Sequence, residues 1–149
     1  AGFNNFTPNE DTLLIDESSQ QPGDSLSEKE TAGAYLYQRY NVWAKIRNLK
    51  LIGSTEELDA ISRDEMHDGV MIARMLFKQS AGLVACQIAG ITLFQEKNMT
   101  FVMEGSLFWK AWNYKEMVDK FVKLLAPEYK INFVEVADSG IFGGAKLIG

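Results

Sequence analysis

Apolar positions recur every three or four residues across 26–48, at Ala32, Leu36, Tyr40, Trp43 and Ile46. That spacing predicts a helix with one buried face. Ser25 or Ser27 is placed to cap it, with Glu28 and Glu30 near the positive end of its dipole. Gly53-Ser54-Thr55 breaks the pattern, and Ser54 or Thr55, backed by Glu56 and Glu57, opens a short helix to Ile61. The longest helical stretch covers 64–97. Val70, Ala73, Leu76, Phe77, Ala81, Val84, Ile88, Ile91 and Phe94 form its expected apolar face, flanked by Gly82, Ala85, Ala89 and Gly90. Small residues there allow close packing, and a bend or break is expected near Gly82, because so long a helix is unusual in a globular domain.

From Asn98 the period changes. Residues 99–103 read as a buried strand, Glu104-Gly105-Ser106 as a turn, and 115–125 as an amphipathic helix with Met117, Val118, Phe121, Leu124 and Leu125 inside. Pro127 stops that helix. Residues 131–136 read as a second strand, Asp138-Ser139-Gly140 as a second turn, and Gly143-Gly144-Ala145 as the start of another helix. The order is β-α-β-α, so the two strands should be parallel. Nearer the N-terminus, 12–15 reads as a short strand ending at Asp16. There is no internal repeat.

Composition narrows the field. The chain has 149 residues, 46% hydrophobic and 23% charged, enough for one domain with a core. A net charge of -5 argues against a nucleic-acid partner. With one cysteine, Cys86, and one histidine, His67, neither an intramolecular disulfide nor a Cys/His zinc site is expected, and no metal-binding residues are assigned. A reducing, cytoplasmic setting is expected, and the polar N-terminus lacks the pattern of a signal peptide. The apolar run 81–94 carries Gln87 and Thr92 and, at roughly 14 residues, is too short to span a bilayer, so no membrane partner is expected. His67 reads as a surface or capping residue, Cys86 as core, and Tyr35, Tyr37, Tyr40 and Trp43 as packing. Trp109 and Trp112 fit either a nucleoside pocket or packing beside the next helix.

In parallel sheets, ligands bind beyond the carboxyl ends of the strands. Both turns fall there and are expected side by side. Glycine admits a ligand close to the backbone, and serine hydroxyls with free helix N–H groups suit phosphate or ribose. Ordinary strand-to-helix turns use the same residues, so spacing alone leaves both readings open. Glu28 is similar: the Pro22-Gly23 bend sets it on a first helical turn, where it is either a dipole partner or an aimed acceptor.

Taken in order, these segments resemble the eukaryotic-type hexokinase family. Asp16-Glu-Ser-Ser-Gln-Gln-Pro22-Gly23-Asp-Ser-Leu-Ser-Glu28-Lys29 is similar to the family segment D-x-x-S-x-x-P-G-x-x-x-x-E-K, which leads into a helix read here as Ala32-Gly33-Ala34-Tyr35-Leu36-Tyr37-Gln38. The run from Lys78 to Cys86 resembles the family helix S-x-R-x-A-x-L-x-A-A. Phe101-Val-Met-Glu104-Gly105-Ser106-Leu107-Phe108 resembles the D-G-S-[VL]-[YF] turn, and the run from Ile131 to Ala145 resembles the closing strand with its S-x-D-G-S-G-x-G-A-A turn. The resemblance implies a helix-rich α/β fold of the actin-like ATPase (ribonuclease H-like) kind with a short parallel β-α-β-α unit at its C-terminal end.

By position, the resemblance implies that Glu28 binds hexose hydroxyls through its two acceptor oxygens. Asn4, in Gly2-Phe3-Asn4, matches the tail of G-T-G-x-N and is implied as a second sugar ligand. Gly105, Ser106, Ser139 and Gly140 are implied around ATP. The activity implied is transfer of the γ-phosphoryl group of Mg²⁺-bound ATP to a sugar 6-hydroxyl, with a carboxylate base and closure of two lobes. The family's base segment and its D-x-G-G-[ST] loop belong upstream and have no counterpart here. Glu104 replaces the family Asp, Asp24-Ser25 replaces a Gln pair, Gln79 replaces an Arg, and Ile141-Phe142 stands where a glycine is usual. The chain therefore reads as the C-terminal half of a hexokinase-type large domain, 1–149, unable by itself to phosphorylate sugar. A non-catalytic sugar-binding or regulatory domain is the alternative, and a helical interaction module a third. The sheet edge where upstream strands would pair is expected to be open to self-association.

Overall fold

The computed structural model describes residues 33–135 and 144–147, and among these, three helices precede the first described strand. The strand read at 12–15, the caps Ser25 and Ser27 and the turn at 138–140 lie outside the described residues. The chain divides into two compact units, Ala1–Ser80 and Ala81–Gly149.

In the first unit, α1 (Gly33–Ile46) buries Leu36 and Tyr40 of the stripe its spacing predicted, together with Ala44, whereas Trp43 is half-buried and Ile46, expected inside, is 69% exposed. Arg39 is also buried, and its guanidinium donates to Gln79 Oε1 at 2.8 Å. The helix ends where Asn48 takes φ 55° and Leu49 N–H returns to Ala44 O. Asn41 then clamps the outgoing chain, donating to Ile52 O at 2.7 Å and accepting from Ile52 N–H at 2.8 Å. α2 (Thr55–Ser62) begins as expected. Ser54 Oγ accepts from Glu57 N–H, while Glu57 reaches back to Gly53 N–H at 2.6 Å.

α3 (Val70–Gln95) starts later than its pattern suggested. Asp64 Oδ1 accepts from Met66 N–H and His67 Nδ1 from Gly69 N–H, so these side chains draw the preceding backbone into turns. His67 thus has the capping role read from the sequence. Gly69 passes directly beneath the Tyr40 ring. The Tyr40 hydroxyl is buried there without a hydrogen-bond partner among the described residues. Burial, and secondly the Asp68 charge, raise its pKa above the ordinary 10.0.

α3 contributes residues to both units and is helical over 26 residues, with no break at Gly82. A Cβ at 82 would lie 3.9 Å from the Phe121 ring, an ordinary van der Waals contact. In the second unit the buried face runs through Ala81, Ala85, Ile88, Ala89 and Thr92, with Thr92 Oγ1 donating to Ile88 O. Ile91 and Phe94, expected inside, are 42% and 84% exposed, because they flank that face rather than lie on it. Cys86 is likewise exposed, correcting its assignment to the core. By length and composition α3 is long and apolar enough to cross a membrane, but 44% of its most apolar window is buried inside the fold. A core helix meets the same test.

The second unit is built on a three-stranded sheet of order β2-β1-β3. β1 (Met99–Glu104) and β2 (Ile131–Val134) are parallel, as the intervening helix required, with Met99 opposite Ile131 and Val102 opposite Val134. Asn98 Oδ1 accepts from Lys130 N–H, and Met99 N–H donates to Lys130 O, which sets the register. α4 (Ser106–Lys110), absent from the sequence reading, follows β1 directly. α5 (Tyr114–Leu125) buries Tyr114, Val118 and Val122, whereas Leu124 and Leu125, expected inside, are exposed at its last turn.

Gly144-Ala145 does not open a helix. Residues Gly144–Leu147 form β3, antiparallel to β1, with Glu104 opposite Gly144 and Phe101 opposite Leu147. The second edge of β1 offers a row of backbone donors and acceptors, and an extended segment satisfies them where a helix would leave them open. β3 covers this edge of β1, while β2 has no strand on its outer side among the described residues.

Candidate functional site

The carboxyl end of β1 carries the chemistry-bearing turn. Phe101, Val102, Met103 and Glu104 are buried, and the chain surfaces at Gly105 and Ser106, both exposed. Gly105 has φ 90° and ψ 159°, a conformation nearly confined to glycine, and stands at the head of α4. It turns the chain so that Ser106 begins a helix with its hydroxyl outward.

Aromatic packing holds this turn in place. Phe108 is buried edge-on to Trp109 (ring centroids 4.9 Å) and to Tyr114 (6.3 Å), and lies 5.1 Å from Phe133. The Trp109 indole N–H donates to Met103 O at 2.8 Å, tying α4 back to β1. Trp109 thus packs against the turn, as one of the two readings left open by the sequence has it. Its signal was faint: a tryptophan six residues beyond a strand residue, with no periodic partner.

β2 lies parallel beside β1, so both strands deliver their carboxyl ends in one direction. Of the residues assigned to the nucleotide, Gly105 and Ser106 are adjacent and accessible there. Ser139 and Gly140 lie outside the described residues, as do the sugar-binding assignments Glu28 and Asn4. Glu104 is 6% exposed beneath the turn. Among the described residues no group of three or more His, Cys, Asp or Glu side chains is arranged to hold a metal ion. A groove of about 540 Å³ is present elsewhere, between α5 and β2, away from the turn.

The profile of the family described as "Hexokinase" matches residues 37–148. No curated protein matches the sequence. Among solved structures, the hexokinase from Schistosoma mansoni complexed with glucose superposes with a TM-score of 0.71 at 20% identity, covering 85% of this chain and 38% of that one. A second hexokinase crystal structure gives a TM-score of 0.72 at 17% identity, covering 90% of this chain and 39% of its own. The chain thus spans about two-fifths of the length of these structures. The superposition shows the hexokinase fold, a helix-rich α/β architecture of the actin-like ATPase class, and with the profile match over most of the sequence it follows that the chain belongs to the hexokinase family.

Proposed function

We propose that this chain is part of a hexokinase-type sugar kinase, a phosphotransferase whose parent moves the γ-phosphoryl group of Mg²⁺-ATP to the 6-hydroxyl of a hexose. The observation that carries the reading is the Gly105 turn, which presents Ser106 at the carboxyl end of a strand with a parallel neighbour, in a chain of this family. Gly105 gives the nucleotide an approach unobstructed by a Cβ, and the Ser106 hydroxyl offers a donor to phosphate or ribose oxygens. Ser139 and Gly140 are assigned to the same nucleotide, and Glu28 and Asn4 to the sugar, where they orient hydroxyls. Mg²⁺ would be carried mainly by the ATP phosphates. No catalytic base is assigned within the chain, so its share of the work is binding and positioning, and turnover by the chain alone is not expected. The assigned setting is cytoplasmic, with no membrane or nucleic-acid partner.

A non-catalytic sugar-binding or regulatory domain is the second reading. It is favoured by position 79, where Gln79 serves Arg39 internally in place of the family arginine.

The test is titration with glucose and with ADP, followed by tryptophan fluorescence. Replacing the charged acceptor in Glu28→Gln should weaken glucose binding by about 1.5–3 kcal/mol, roughly 10- to 150-fold. Ser106→Ala should weaken ADP alone. Unchanged affinities in both variants would remove these residues from the site.

A further inference from the structure

β2 is an edge strand, and its outer side has no strand partner among the described residues. Met99 N–H donates to Lys130 O, and Met99 lies opposite Ile131. Backbone direction alternates along a strand, so the N–H and C=O groups of Ile131 and Phe133 point away from β1, toward the open edge. Beside that edge lies the groove of about 540 Å³. Its other wall is α5, which contributes Lys115, Asp119 and Lys123 at successive turns, while Tyr129, Lys130 and Phe133 line the strand side. Lys115 neutralises Asp119 at 3.0 Å. Lys123 and Lys130 are exposed, and neither makes an ion pair among the described residues. In a chain with net charge -5, this is a locally basic trough.

A trough walled by an edge strand and a helix is the geometry in which an extended peptide adds to a sheet. Main-chain hydrogen bonds hold it to the edge, and its alternate side chains meet the helix. We propose that the groove between α5 and β2 binds an extended acidic peptide segment of a partner protein, which pairs with Ile131 and Phe133 as an added strand and sets its carboxylates against Lys123 and Lys130. This surface is separate from the Gly105 turn and does not depend on the kinase reading.

The experiment uses the whole chain and a fluorescein-labelled decapeptide of alternating Glu and Val, read by fluorescence anisotropy. The peptide should bind saturably and weaken as salt is raised. Lys123→Glu/Lys130→Glu should lose at least tenfold in affinity, with far-UV circular dichroism unchanged. The same peptide N-methylated at alternate residues keeps its charge but cannot donate to the edge, and it should fail to bind. Equal binding of the methylated peptide would overturn strand addition, and equal binding of a Lys-Val decapeptide would overturn the charge assignment. No binding at millimolar peptide, or concentration-dependent dimers that the peptide does not disperse, would overturn the proposal, the latter by assigning the edge to a second copy.

Discussion

Gly105→Ala tests the geometry on which the nucleotide assignment rests. At φ 90° and ψ 159° the backbone lies in a region that side chains with a Cβ rarely enter. Holding alanine there costs about 1–3 kcal/mol, while the stiffer unfolded chain returns about 0.4–1 kcal/mol. The net expectation is a loss of roughly 0.5–2 kcal/mol from those two terms. In urea, with a slope of about 2 kcal/mol per molar, the midpoint should fall by about 0.3–1 M, read by tryptophan fluorescence. Trp109 is a local reporter, since its N–H is held by Met103 O in the same turn. Gly105→Asn should do no better than alanine. Asparagine tolerates the left-handed helical region near ψ 47°, not ψ 159°. Gly53→Ala is the control, because a Cβ there meets only the Glu57 carboxylate at 3.9 Å and should leave the midpoint unchanged or raised. A Gly105→Ala midpoint within about 0.1 M of wild type, or recovery with asparagine, would refute the conformational argument and with it the reason for glycine at this site.

Tyr40→Phe removes a buried hydroxyl that has no partner among the described residues, and should leave stability equal or higher by up to about 1 kcal/mol; a loss beyond that in urea unfolding would mean the hydroxyl is bonded. The phenol pKa is raised in the folded state, so its contribution is full below pH 10 and is lost as pH climbs toward the shifted value. Tyr40→Phe should therefore flatten the alkaline limb of the stability profile, and an unaltered limb would contradict the burial argument. Gly69→Ala drives a Cβ into the Tyr40 ring, 2.8 Å from Cζ and 2.9 Å from Cε2, and should cost about 1–3 kcal/mol by calorimetry, with Tyr40→Phe restoring only part. Ser54→Ala deletes the cap on Glu57 N–H and should cost about 1 kcal/mol, with hydrogen exchange quickening first in α2.

The sequence was most informative where one local rule had no competitor. Helical spacing marked Leu36 and Tyr40 as one face, Ser54 with Glu57 marked a helix start, and Pro127 marked a helix end. The parallel pairing of β1 and β2 followed from the helix between them, because a strand that returns through such a crossover runs in its original direction. The Gly105-Ser106 turn was readable for a similar reason: a glycine at the end of an apolar strand marks a conformation other residues avoid.

Long-range packing decided the rest. That the Phe121 ring lies opposite Gly82 is set by packing, and spacing along one helix carries no record of it. Ile91, Phe94 and Cys86 sit one step around the helix from the buried face, and in so apolar a segment the pattern could not choose among neighbouring stripes. Trp109 became a packing anchor only because its indole reaches Met103 O across the turn. The segment after Gly143 reads locally as a helix start, yet β1 offered an open edge whose unpaired backbone groups favour a strand. Local sequence sets which conformations are inexpensive, and the unmet hydrogen bonds and apolar surface of distant segments select among them.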